Sequence, residues 1–233
     1  MMLMLESVFF LLLAALLPPL ILLLVIYRMD KLEREPPGLM IRLFFRGLLA
    51  MVPILVLELL ADQFVDLFSW NYYTYLFLAY FCIPGFIEEG VKYRVLVGKV
   101  WRNPNFNFRF DGIVYAVFVS LGFAAVENVL YVLTSGFGTA VLRAVFSIPG
   151  HAMFGVVMGV GIGQAKWLEA GGQSKQAKSI RSRAWLKAAV LHGLYDFLLI
   201  GFGGLFYIYF IFLVIYVLRL LRRSAREDGP VYG

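Results

Sequence analysis

Long apolar runs alternate with short polar connections along the whole chain. Seven runs read as membrane-crossing helices, at roughly 6–27, 41–61, 73–97, 111–134, 139–163, 184–201 and 203–222, each close to the ~20 apolar residues that span a bilayer. The connections at 28–40, 98–110 and 164–183 are polar, as is the tail after 222. Those at 135–138 and 202 are very short, and 62–72 carries two acids and no base. The pattern predicts an all-α, polytopic integral membrane protein of about seven transmembrane helices, multi-pass in the inner or plasma membrane and packed against lipid on its outer faces.

Composition agrees with that pattern. Hydrophobic residues make up 61% of the chain and charged residues 15%, where a soluble domain carries about 25% charged residues. The longest polar stretch is about twenty residues, too short for a second folded unit, so residues 1–233 form one membrane domain. The first run has no Lys or Arg before Arg28 and no small-residue cleavage site, so it reads as a retained helix. A single cysteine, Cys82, excludes an internal disulfide and a cysteine-cluster metal site.

The basic residues set the direction. With these spans, 20 of the 21 Lys and Arg fall on one side, in or beside 28–40, 98–110, 164–183 and the tail, and only Arg143 falls on the other. The positive-inside rule then places the N-terminus outside and the C-terminus, with a basic tail at 223–233, in the cytoplasm. The net charge of +6 is therefore a signal of topology, spread over cytoplasmic rims, and not of nucleic-acid binding. The basic 173–187 segment reads as a solvated loop or as a contact for anionic headgroups.

Once the rims are set aside, the ionisable residues at membrane depth are Glu58, Glu88, Glu89, Glu127, His151, His192 and Asp196, and they include both histidines of the chain. Charged groups at such depth are costly unless paired, and they mark functional sites. At a rise of about 1.5 Å per residue, all but Glu58 fall within roughly 10 Å of one level. Residues 73–201 thus form a four-helix core that carries the chemistry. His192 and Asp196 share a helix face, as do Glu88 and Lys92. Glu88 and Glu89 stand about 100° apart on a helix, so one faces the reaction centre while the other braces a ligand or pairs with Lys92. The glycines at 155, 159 and 163 lie near the face of His151 and let a neighbouring helix come close. Pro84-Gly85 is expected to loosen the helix just before the acid pair. Glu58 and Arg143 lie toward the outer side and read as a structural ion pair.

Two neutral imidazoles and a carboxylate can hold a divalent metal such as zinc with an open water position, and a nearby Glu can take the proton of that water. A hydrophobic protein with such a set reads as a peptide hydrolase acting on membrane-anchored substrates. A metal-free form, with Glu88 activating water and the histidines binding the oxyanion, uses the same residues. Other protease classes fit poorly: there is no H-E-x-x-H, no second acid to make an aspartyl pair with Asp196, and no G-x-S-x-G around Ser120 or Ser147. Three other readings stay open: a b-type cytochrome with His151 and His192 as axial haem ligands, an ion- or proton-coupled transporter using the same acids, and an inactive scaffold.

Four motifs carry a resemblance. Glu88-Glu89-Gly90-Val91-Lys92 resembles the E-E-x-x-K signature of the PrsW family of intramembrane proteases. Phe123-x3-Glu127-Asn128, Gly150-His151 and His192-x3-Asp196 resemble its later motifs, in the same order, over roughly residues 80–200. That family is similar to the CAAX prenyl protease and bacteriocin-processing superfamily. The resemblance implies proteolysis of membrane-anchored proteins, in some bacteria the first cut of a single-span anti-sigma factor, with a metal dependence. On this reading Glu88 or Glu89 is the general base, His151 and His192 are metal ligands with Glu127 or Asp196 as the third, and Lys92 orients the acid pair. Asn128 belongs to the site through the second motif.

Overall fold

The computed structural model describes residues 2–232, and the side chains from residue 8 onward. Nine α-helices follow in chain order among these residues: α1 (Met2–Met29), α2 (Pro37–Asp66), α3 (Tyr72–Leu76), α4 (Ile83–Val100), α5 (Asp111–Ser135), α6 (Phe137–Val145), α7 (Ser147–Ala170), α8 (Ser174–Gly201) and α9 (Gly203–Arg226). The only strand-like pairing described is one antiparallel bridge, Phe108 to Pro230. Six helices or helix pairs are long and apolar enough to cross a membrane.

The expected span at 73–97 is helical throughout but built differently. Asn71 caps α3 through the Thr74 N–H at 3.1 Å. A π-helical segment (Phe77–Cys82) then joins α3 to α4. Pro84 explains this switch: it has no N–H to return to the carbonyl four residues back, and the wider π turn absorbs the mismatch. The loosening expected from Pro84-Gly85 thus takes the form of a π segment directly before the acid pair. With Glu88, Glu89, Lys92 and Arg94 aboard, this span is less apolar than the other six.

The expected span at 139–163 is interrupted. Gly136, at φ 81°, turns the chain out of α5, a conformation that glycine adopts without strain. α6 then runs only nine residues before Phe146, the residue that separates it from α7. Pro149 sits in the first turn of α7, where its missing N–H costs nothing; an unbroken helix would lose a bond there. α6 therefore carries Arg143 as a separate short element.

α5 and α7 are the central pair. The apolar window of α5 is 72% buried, against 22% for α1 and for α9. Outward residues such as Phe9, Phe10, Leu49, Ile211 and Phe212 present an apolar face to lipid. Small residues let the central helices touch backbone to backbone. A Cβ at Gly159 would lie 2.5 Å from the Gly112 carbonyl oxygen and from the Ile113 Cα. A Cβ at Gly85 would lie 2.6 Å from the Ala189 oxygen, which sets α4 equally close to α8. These two contacts fix the level at which four helices present their polar groups. We expect Gly159→Val to lower the unfolding free energy by about 1–3 kcal/mol or more, the overpacking range, measured by denaturation in detergent. An unchanged midpoint would mean that α5 and α7 are not locked at this point.

The polar connections gather at one end. Asn107 Nδ2 donates to Glu33 at 2.8 Å, Lys166 Nζ donates to the Trp101 oxygen at 2.8 Å, and the Phe110 N–H donates to Asp228 at 2.9 Å. The first, third and fifth connections and the tail therefore share one face of the bundle, as the distribution of basic residues requires. The tail does not run free: the Val231 N–H bonds the Asn107 oxygen at 2.6 Å, beside the bridge to Phe108.

Candidate active site

All eight predicted site residues lie in one network of hydrogen bonds and ion pairs. On α4, Lys92 Nζ donates to Glu88 at 2.8 Å and to Glu89 at 2.9 Å. The spacing of three and four residues puts both acids over the same ammonium. Lys92 is 1% exposed and Glu89 0%, so neither charge reaches water. Lys92 Nζ also lies 3.3 Å from His151 Nδ1 on α7 and 4.0 Å from the Phe123 ring centroid on α5.

The two histidines are mounted alike. His192 Nδ1 faces Glu89 at 3.1 Å, and its Nε2 faces Asp196, one turn on, at 3.2 Å. His151 Nε2 faces Glu127 at 2.9 Å. Each imidazole therefore turns Nδ1 toward the α4 cluster and Nε2 toward an outlying carboxylate. A carboxylate behind a ring nitrogen fixes the tautomer and raises the basicity of the other nitrogen. The rings are 5.2 Å apart, centroid to centroid, at 87°, and Phe154 stacks on His192 at 4.6 Å. Ser120 Oγ donates to the His151 carbonyl at 2.8 Å, which ties α5 to α7 at this level.

Arg143 is the residue that the sequence reading placed wrongly. It does not pair with Glu58. Its guanidinium bonds Glu127, and its Nε donates to the Asn128 Oδ1 at 2.8 Å. Asn128 in turn donates to the Ala15 oxygen at 2.7 Å, so it braces Arg143 against α1. The signal was present. Residues 127 and 143 are equally far from Ser135, where α5 turns back into α6, so they meet at one level. Glu58 forms no ion pair among the described residues and instead borders the cavity.

That cavity has a volume of about 540 Å³. Glu88, Glu127, His151, His192 and Asp196 line its floor, and Glu58, Arg143 and Tyr195 line its walls. Glu89, Lys92 and Asn128 do not line it. The walls continue to Asp62, Tyr131, Ile200 and Phe206, near the ends of α2, α5 and α8 and the start of α9. All four lie at the end of the bundle remote from the basic connections. Tyr195, also unforeseen, is buried with an unpartnered hydroxyl. Its one sequence signal is its place beside Asp196 on α8.

Glu88, Glu89, His151 and His192 each offer one ligand atom, and these atoms all lie within 4.8 Å of one another. Two imidazoles with carboxylates form a donor set suited to zinc and similar ions. Two further observations fit a bound cation. Glu89 Oε2 is buried with no partner. And with Arg143 engaged by Glu127, Glu88 and Glu89 share the single ammonium of Lys92, while Asp196 meets only His192 among the described residues. The haem reading fails on space: the imidazoles touch at right angles, with Glu89 and Lys92 bonded between them.

Comparison with known proteins agrees with this geometry. The chain matches the PrsW family intramembrane metalloprotease profile over residues 35–220. It is 37% identical to Protease PrsW of Oceanobacillus iheyensis over 207 residues, covering 88% of this chain and 91% of that protein. It is 31% identical to Protease PrsW of Bacillus subtilis over 188 residues, covering 81% and 82%. It is 35% identical to Protease PrsW of Clostridioides difficile over 174 residues, covering 73% and 71%. No solved structure matches the chain. The matched region holds all four polar motifs and every helix that lines the cavity, and by it the chain belongs to the PrsW family of intramembrane metalloproteases.

Proposed function

We propose that this intramembrane peptidase uses Glu88 as its general base, with His151, His192 and Glu89 as the donors for a divalent metal, zinc by donor type. The observation that carries the reading is the shared orientation of the two histidines, each with Nδ1 toward the acid pair and Nε2 held by a carboxylate. When bound, such a metal acidifies water and polarises a carbonyl. The rest falls to the chain's own residues. Glu88 is the member of the acid pair that lines the cavity, so it can take a proton from a water held there and return it to the leaving amine. Glu127 and Asp196 orient the imidazoles, and Arg143 holds Glu127 in place. The Tyr195 hydroxyl is the free donor beside the cavity that can meet the developing oxyanion.

The cavity walls support a substrate class. They lead from the site to the end of the bundle opposite the basic connections, which is the non-cytoplasmic end on the positive-inside assignment. A single-span protein cut near its outer membrane boundary fits this placement, and an anti-sigma factor is the candidate of that class. One observation favours a metal-free alternative: the Lys92 ammonium bonds both glutamates and approaches His151, so a fixed cation already sits among the donors. Metal analysis of the purified protein, together with cleavage of a single-span reporter, separates the two. The expected result is about one zinc per chain, with cleavage lost on chelation and restored by zinc. Full cleavage by metal-free protein would leave only the glutamate–lysine route.

A further inference from the structure

A second cluster of buried acids lies at the basic end of the bundle, away from the active site. We propose that Asp30, Glu35 and Asp111 hold a hard divalent cation, of the calcium or magnesium class, which clamps the first and third connections together. The three residues come from the loop after α1, the lead into α2 and the first position of α5. Each offers a carboxylate oxygen, and the three oxygens lie within 4.8 Å of one another. Asp30 and Glu35 are each 2% exposed and Asp111 is 0%.

The cluster is more than a set of acids in proximity. Both carboxylate oxygens of Asp30, Oε2 of Glu35 and Oδ1 of Asp111 are buried with no hydrogen-bond donor. Asn107, whose N–H donates to Asp111 Oδ2 at 3.0 Å, has its own buried Oδ1 unpartnered as well. Buried polar atoms nearly always have partners, so five orphaned oxygens on adjoining residues mark a missing positive centre. No Lys or Arg forms an ion pair with any of the three acids among the described residues. The other oxygen of Asp111 is held by the N–H groups of Asn107 and Phe108, which leaves Oδ1 fixed and turned to a ligand. Without a cation, burial and neighbouring acids push Asp30 up to about 6 and Glu35 up to about 7.

The donor set fixes the class of ion. All donors are oxygens, as calcium, magnesium and manganese prefer, with no imidazole or thiolate to favour zinc. This distinguishes the site from the intramembrane one, where two histidines converge. Because Asn107 also accepts from Val231 in the tail, a cation here would brace three cytoplasmic-side segments at once.

The test uses full-length protein in nanodiscs carrying His151→Ala and His192→Ala, which removes both imidazole donors of the intramembrane set; any ion held by its remaining carboxylates would be unaffected by a change at Asp30. Equilibrium dialysis against calcium, and separately against magnesium, is expected to give about one bound ion per chain. Chelation is expected to lower the melting temperature. Adding Asp30→Asn should weaken binding by about tenfold or more and make the melting temperature insensitive to chelator. Should that variant fail to fold, Glu35→Gln serves in its place. No bound ion in the parent, or unchanged affinity in the variant, would overturn the proposal, and the cluster would then be three carboxyls sharing protons.

Discussion

Glu88→Gln is expected to lower cleavage of a membrane-anchored reporter by about 10²–10⁴-fold, the range for loss of a general base, with the fold retained. Glutamine matches glutamate in shape, and its amide oxygen still accepts the 2.8 Å bond from Lys92, so what is lost is the capacity to take a proton. Glu89→Gln should behave differently. Glu89 accepts from Lys92 and faces His192 at 3.1 Å while fully buried, so its neutralisation disturbs the histidine and the metal donors as well as the rate. The variant pair therefore separates two roles: Glu88→Gln should keep its metal and its melting temperature, and Glu89→Gln should lose both in part. Activity retained in Glu88→Gln but lost in Glu89→Gln would transfer the base to the buried residue.

The polar level was readable because a bilayer makes it so. In a chain this apolar, each acid or histidine at depth stands out, and a rise of about 1.5 Å per residue is enough to align them. That reasoning reached Glu88, Glu89, Glu127, His151, His192 and Asp196, which share one network. It fails for Arg143, expected to pair with Glu58 toward the outer side, because the α5–α6 turn sets it level with Glu127. It also misses the break at Phe146, because hydropathy sums over the short turn just before Pro149. The roles of Glu127 and Asp196 depend on which ring nitrogen they meet, and that is set by the packing of α5, α7 and α8, on which a single sequence is silent. The Asp30, Glu35 and Asp111 cluster was hidden for the opposite reason: two of its members sit in a polar connection and the third at the first position of α5, where acids are ordinary unless buried.

Lys92→Met is expected to produce the largest loss of stability. Removing one partner of a buried ion pair typically costs about 3–5 kcal/mol, since the remaining charge is left uncompensated, and here one ammonium serves two carboxylates at 2.8 and 2.9 Å. Methionine fills similar space and keeps contact with Phe123, so packing contributes little to the change. The measurement is denaturant unfolding in detergent, with and without a divalent metal. In metal-free protein the full loss should appear. With metal, part of it should return, because a second positive centre among Glu88, Glu89, His151 and His192 takes over the duty of the ammonium. The same logic explains why a lysine is present at all. An acid pair in a bilayer must be tolerable before any metal arrives, during insertion and folding, and Lys92, at the three- and four-residue spacings on the same helix, is in place as soon as that helix forms. If metal-free Lys92→Met were as stable as the unsubstituted chain, the two carboxyls would be holding protons there, and the ammonium would serve the reaction alone.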